Sequence, residues 1–235
     1  MQTPPDHGRH WYFLAADGDP QHKLRQIFAQ IAAKEALTVQ HDGVTQVIDQ
    51  GEDLRCSFLF RDEQFLAGYP MLADGFGWPL KIRSIVPWPD GVQASLVAEC
   101  EGTPLSLFDT QHFLNKASYN SGHEQTFIVG AIAYRLFAAD DEPQPPHDAK
   151  AFLPATPEEG GQLDDIKFFT QVEAARDVDF WGVPLVAYTV TLAEPQRFPM
   201  RVDLFAHASA CEKRFAPGDR ISGFAWLFGA ARSTL

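Results

Sequence analysis

Residues 215–229 read FAPGDRISGFAWLFG, and this stretch decides the fold class. Pro217 presets φ, Gly218 can take a positive φ, and Asp219 can bond its own backbone, so the trio is a turn. Strict alternation follows. It puts Ile221, Gly223, Ala225 and Leu227 on one face and Ser222, Phe224, Trp226 and Phe228 on the other. One face is small and the other bulky. A glycine inside a strand marks a bulge or a close backbone approach, as at a barrel corner. Trp226, burying about 200 Å², would contribute about 5 kcal/mol before entropy, and it is read first as a packing residue.

Upstream, DIKFFTQV, PLVAYTVTLA and PMRVDLFA carry the same β-branched and aromatic signature. KIRSIV, VQASLVAEC, PLSLFDT and QTFIVGAIAYRLF form an earlier set of strands. The two sets keep one order of landmarks. Phe108, Tyr119, Gly122, Gly130 and Tyr134 in the first stand against Phe205, Phe215, Gly218, Gly223 and Trp226 in the second. An internal duplication is expected, with Tyr134 and Trp226 at one strand step and Gly130 and Gly223 each close to a neighbouring backbone. Between the sets lies DDEPQPPHDAKAFLPATPEEGG, whose five prolines mark a linker or surface excursion.

The N-terminal part is more mixed. HWYFLAADG reads as a strand-like run. Asp19 as N-cap and Pro20 at the first helical position then open a helix through residues 23–36 that buries Leu24, Ile27, Phe28 and Ile31. VTQVID and DLRCSFLF read as paired strands, and LAGYPMLADGFGWP as a long ordered loop. His7 and His10 read as solvated. The chain is thus expected to be mainly β (α+β overall): residues 1–79 a helix-containing segment on the first module, 80–139 that module, 140–162 the linker, and 163–235 a second, related small barrel.

The pattern VDLFA followed by FAPGDRISGFAWLFG resembles the end of an OB-fold barrel of the kind seen in bacterial single-stranded DNA-binding proteins. Pro217 stands where those proteins commonly carry lysine. The resemblance implies a small curved barrel that contacts ligands through strands 2–3 and nearby loops. Here that face would draw on Trp181, Tyr188 and Arg201, with Trp226 as a secondary stacking residue.

Net charge is −12, and no part of the chain has a basic excess, which opposes nucleic acid and anionic membranes as partners. Three widely spaced cysteines make neither a disulfide framework nor a zinc pattern, and suit a reducing cytoplasm. No apolar signal core or membrane span is present in the sequence. No nucleophile elbow, phosphate loop, dinucleotide turn or zinc-protease motif occurs, so no cofactor, metal or catalytic residue is assigned. One polar group stands out: Asp109, His112, Asn115, Tyr119 and His123, whose residue types suit either backbone caps or acid–base chemistry. The expectation is a non-catalytic binding or interaction protein, with an unknown protein or small molecule as partner and an undetermined oligomeric state. The alternatives are single-stranded nucleic-acid binding on the C-terminal module and an enzyme built on the Asp109–His123 group.

Overall fold

The computed structural model describes residues 7, 8, 10, 11, 19–32, 36–119, 122–139, 150–195 and 198–232. The run at 12–18, the end of the expected helix at 33–35 and the linker at 140–149 lie outside the described residues. The chain is mainly β. A four-stranded antiparallel meander comprises β1 (Leu37–His41), β2 (Val44–Ile48), β3 (Leu54–Arg61) and β4 (Gln64–Leu72). Nine strands follow: β5 (Phe76–Pro87), β6 (Ala94–Cys100), β7 (Thr103–Asp109), β8 (Glu124–Ala138), β9 (Ala151–Pro154), β10 (Asp165–Phe180), β11 (Val183–Thr191), β12 (Arg201–His207) and β13 (Arg220–Ala231).

Eight of these strands form two closed rings that share their two central strands, and β9 pairs with β10 outside them. One ring runs β5, β6, β7, β13, β8 and back to β5, closed by a parallel β7–β13 pair. The other runs β10, β11, β12, β8, β13 and back to β10, closed by a parallel β12–β8 pair. Each set of four consecutive strands therefore borrows its fifth from the other, and β8 and β13, antiparallel to each other, form a seam belonging to both. Inward side chains of both rings merge into one apolar interior, including Leu80, Leu96, Leu107 and Val129 from one half and Phe168, Tyr188, Leu204 and Leu227 from the other.

Register follows the same scheme twice. β5 is bulged between Ile82 and Ser84 against β6, and β10 between Val172 and Ala174 against β11. Phe108 lies beside Phe228 in one closing pair and Phe205 beside Ile132 in the other. Matching the bulges sets Phe76–Val129 against Ile166–Ala225, so Gly130 corresponds to Trp226 and Tyr134 to Ala230. The expected matches of Gly130 with Gly223 and Tyr134 with Trp226 are therefore out of step. Similar letters recur in both strands because barrel strands draw on few residue types, not because those positions are equivalent.

Gly223 does lie at a close approach: a Cβ there would sit 2.1 Å from the carbonyl oxygen of Arg135 on β8. Gly130 does not. The atoms nearest its added Cβ belong to the Leu72 side chain, not to backbone.

The N-terminal part forms a separate layer. α1 (Pro20–Ala32) begins as the Asp19–Pro20 pair predicts, with the Asp19 carbonyl accepting from the Lys23 N–H. Ile27 and Ile31 are buried against the meander, but Phe28 is 36% exposed, because it lies on the flank of the apolar stripe over Phe58 and Phe60. The stretch expected as a loop is instead β4 and the start of β5. Pro70 is tolerated because β4 is an edge strand, and Pro79 because β5 at that point has β8 alone as partner. The opposite face of the meander packs on the seam. A second apolar cluster joins Val44, Phe58 and Tyr69 to Phe108, Ile132, Phe205 and Trp226. The layer therefore spans both rings rather than the first module alone. The bulged hairpins β5–β6 and β10–β11 flank it, contributing Trp88 and Val92 from one and Phe180 and Val183 from the other.

Candidate functional site

Two polar assemblies and a cleft sit where the outer layer meets the rings. The first is the group singled out in the sequence. β7 ends at Asp109, and a one-turn helix α2 (His112–Asn115) with a following 3₁₀ turn carries the chain to β8. This hook brings Tyr119 back so that its hydroxyl donates to Asp109 Oδ2 at 2.5 Å, while the Gln111 N–H donates to Oδ1 at 3.0 Å. His112 Nδ1 stands 3.7 Å from Oδ2 and makes no hydrogen bond. Burial, and then the Asp109 charge, raise the Tyr119 hydroxyl well above its ordinary value, so it remains a donor. Asn115 begins the 3₁₀ turn, and its carbonyl accepts from the Ser118 hydroxyl at 2.7 Å. His123 is exposed. Of the five residues, Asp109, His112 and Tyr119 come together with the Asn115 side chain beside the Tyr119 hydroxyl, as a brace holding the β7–β8 crossover.

The second is a cleft of about 250 Å³ just beyond this brace, lined by Met71, Leu72, Ile128, Ala230 and Ala231 with Arg55, Thr110 and Gln111. The Arg55 stem is fixed by Nε donating to the Gly51 carbonyl at 2.8 Å. Thr110 is fixed by its hydroxyl donating to the Gly229 carbonyl at 3.1 Å. The cleft therefore draws on β3, β4, β8 and β13 together, taking walls from both layers.

The third is buried in the seam, and sequence reading missed it. His7 and His10, expected in solvent, are buried between the meander and the rings. His10 stacks on Trp226 at 3.7 Å between ring centroids with 12° between planes, and His7 on Trp88 at 4.7 Å. Beneath the Trp226 indole, Asp164 Oδ2 accepts from its Nε1 at 3.1 Å and from the Ser95 hydroxyl at 3.4 Å. Burial, then the neighbouring Asp165, push the Asp164 carboxyl up to about 7. A histidine in a polar tail carries no local sign of burial. The available signal was Trp11 beside it, an aromatic that needs a cover and finds one in Phe180 and the Gly68 carbonyl.

The residues pointed to by the OB resemblance do not share a surface. Trp181 occupies the β10–β11 turn at φ +52°, and its indole donates to Asp49 Oδ2 at 2.5 Å. Tyr188 faces the ring interior, and its hydroxyl accepts from the Phe215 N–H at 3.3 Å. Trp226 lies in the seam, on the opposite side of the strand wall from Tyr188. Arg201 is exposed at the start of β12 and paired with Glu173 at 3.1 Å. Among the described residues, no three or more His, Cys, Asp or Glu are grouped to hold a metal ion, and no helix is long and apolar enough to cross a membrane. No family model, curated protein or solved structure matches this chain.

Proposed function

We propose that the protein is a non-catalytic binding module, with the cleft between outer layer and seam as its ligand seat. One observation carries this reading: apolar side chains from two layers line one cleft with Arg55, whose Nε is held by the Gly51 carbonyl. Such junctions between layers, mostly apolar with a few placed polar groups, are where small ligands bind. The Asp109 brace behind the cleft then has a positioning role, since Thr110 and Gln111 follow it directly in the chain. Each ring is read as an OB-like barrel. Supporting this are its five strands, its Greek-key return through a parallel pair, and the turn–strand pattern at 215–229. The paired registers support descent of both halves from one duplicated unit. Three free thiols, Cys56, Cys100 and Cys211, support a cytoplasmic setting.

Ligand-observed NMR with a library of small polar-headed fragments tests the seat. Hits should be displaced in Ala230→Phe, which fills the cleft from its rim. An absence of hits, or hits indifferent to that substitution, would refute it.

A further inference from the structure

We infer that the cleft takes a small apolar carboxylic acid in its ionised form. This names the ligand class for the seat proposed above and rests on that reading. The sign of the charge carries it. The chain has a net charge of −12, yet the residues lining the cleft include one cation, Arg55, and no acid. Arg55 stands directly across from Met71 in the β3–β4 pair, and both line the cleft. Its Nε is committed to the Gly51 carbonyl, but among the described residues its two terminal nitrogens have neither a hydrogen bond nor an ion pair. Asp49 feels the guanidinium charge, yet its oxygens already accept from the Cys56 N–H at 2.9 Å and the Trp181 indole at 2.5 Å. Asp53, two residues before Arg55, pairs with Arg176 at 2.7 Å. The terminal nitrogens are thus left for a ligand. A headgroup of two oxygens that only accept suits such a fork.

The other polar groups narrow the headgroup further. The Thr110 hydroxyl gives its hydrogen to the Gly229 carbonyl and so brings no donor. The Gln111 side-chain amide has no hydrogen-bond partner among the described residues and can add one more N–H. One cation balances one negative charge. A phosphate monoester, carrying about −1.5 to −2 near neutral pH, would keep an excess that an acidic protein opposes. A neutral amide or alcohol would leave the guanidinium unmatched. Met71, Leu72, Ile128 and Ala230 offer hydrocarbon to the rest of the ligand, in a cleft of about 250 Å³.

NMR titration of the full chain at pH 7.5 with hexanoate, hexanamide and hexyl phosphate tests this. Hexanoate should bind at least about tenfold more tightly than either of the others. From butanoate to hexanoate, binding should tighten about fourfold for each methylene buried. Arg55→Gln should bring hexanoate down to the level of hexanamide, and Ala230→Phe should remove both. The comparison of headgroups in the wild type decides the matter even where Arg55→Gln does not fold. Hexanamide or hexyl phosphate binding as tightly as hexanoate, with all lost in Ala230→Phe, would overturn the acid and leave the cleft as a seat. A flat chain-length series, or hexanoate binding that survives either substitution, would overturn it as well. Silence from hexanoate while other fragments are displaced by Ala230→Phe would overturn the acid alone, and silence from every ligand would refute the seat with it.

Discussion

Replacing Asp164 with asparagine should make the protein more stable at alkaline pH. The carboxyl is buried beside a second buried carboxyl, and its value of about 7 lies well above the ordinary 3.8. The folded state therefore binds a proton that the unfolded state has released throughout the window between those values. The sign follows from that. This residue favours folding below about 4, and its contribution is lost as pH rises through 7, at about 1.4 kcal/mol per unit. The amide of the Asp164→Asn variant cannot ionise, and its carbonyl can accept from Trp226 Nε1 as Oδ2 does now. Between pH 5 and pH 8 the stability of the variant relative to the wild type should thus rise by about 3 kcal/mol. Urea unfolding at four pH values, with the slope against denaturant held constant, reads this difference directly. A difference that stays flat from pH 5 to pH 8 would show that the carboxylate is not desolvated in the seam, and the burial argument would fail.

Gly223→Ala should lower the melting temperature by several degrees, because its Cβ would meet the Arg135 carbonyl oxygen at 2.1 Å and part the seam. Gly43→Ala, at φ +74° with nothing within 4 Å, should cost only the left-handed strain of about 1 kcal/mol. Trp181→Phe keeps the strained turn but removes the bond to Asp49, and should destabilise by about 1–2 kcal/mol in urea titration. Equal stability would show that this bond adds nothing to the grip of the hairpin on the meander. Mass spectrometry after iodoacetamide treatment of the native protein should find Cys211 modified and Cys56 and Cys100 spared. Burial raises all three thiols, that of Cys100 to about 11, but Cys56 and Cys100 are fully buried and Cys211 only partly, so access decides the outcome.

Period-two alternation made β13 legible from its letters, down to the split between Ile221, Ala225 and Leu227 inside and Trp226 and Phe228 outside. The Asp42–Gly43 and Glu101–Gly102 turns, with positive φ at both positions of a two-residue hairpin, went unread. The pairing of β8 with β13 was not legible. No local pattern says which distant strand supplies hydrogen bonds. β4 was missed because Gly68 and Pro70 read as loop, and only its place at a sheet edge makes Pro70 harmless. At the candidate site, Asp109, His112 and Tyr119 were within reach of sequence because a short hook joins them. The cleft was not, because Arg55 and Ala230 meet only through the stacking of two layers.

The shared seam has a consequence for how the chain must be made. β8 is complete at Ala138, but the strand that closes its ring begins at Arg220. At ribosomal speeds of about 5–20 residues per second, the first half waits roughly 4–16 seconds with a long strand edge unpaired. Exposed edges of this kind pair with whatever strand arrives first. Synthesis therefore passes through a half-barrel whose proper partner does not yet exist, and the two halves reach their native state together or not at all. Chaperone dependence during translation, and aggregation of chains halted between residues 139 and 219, follow from the way the rings interlock.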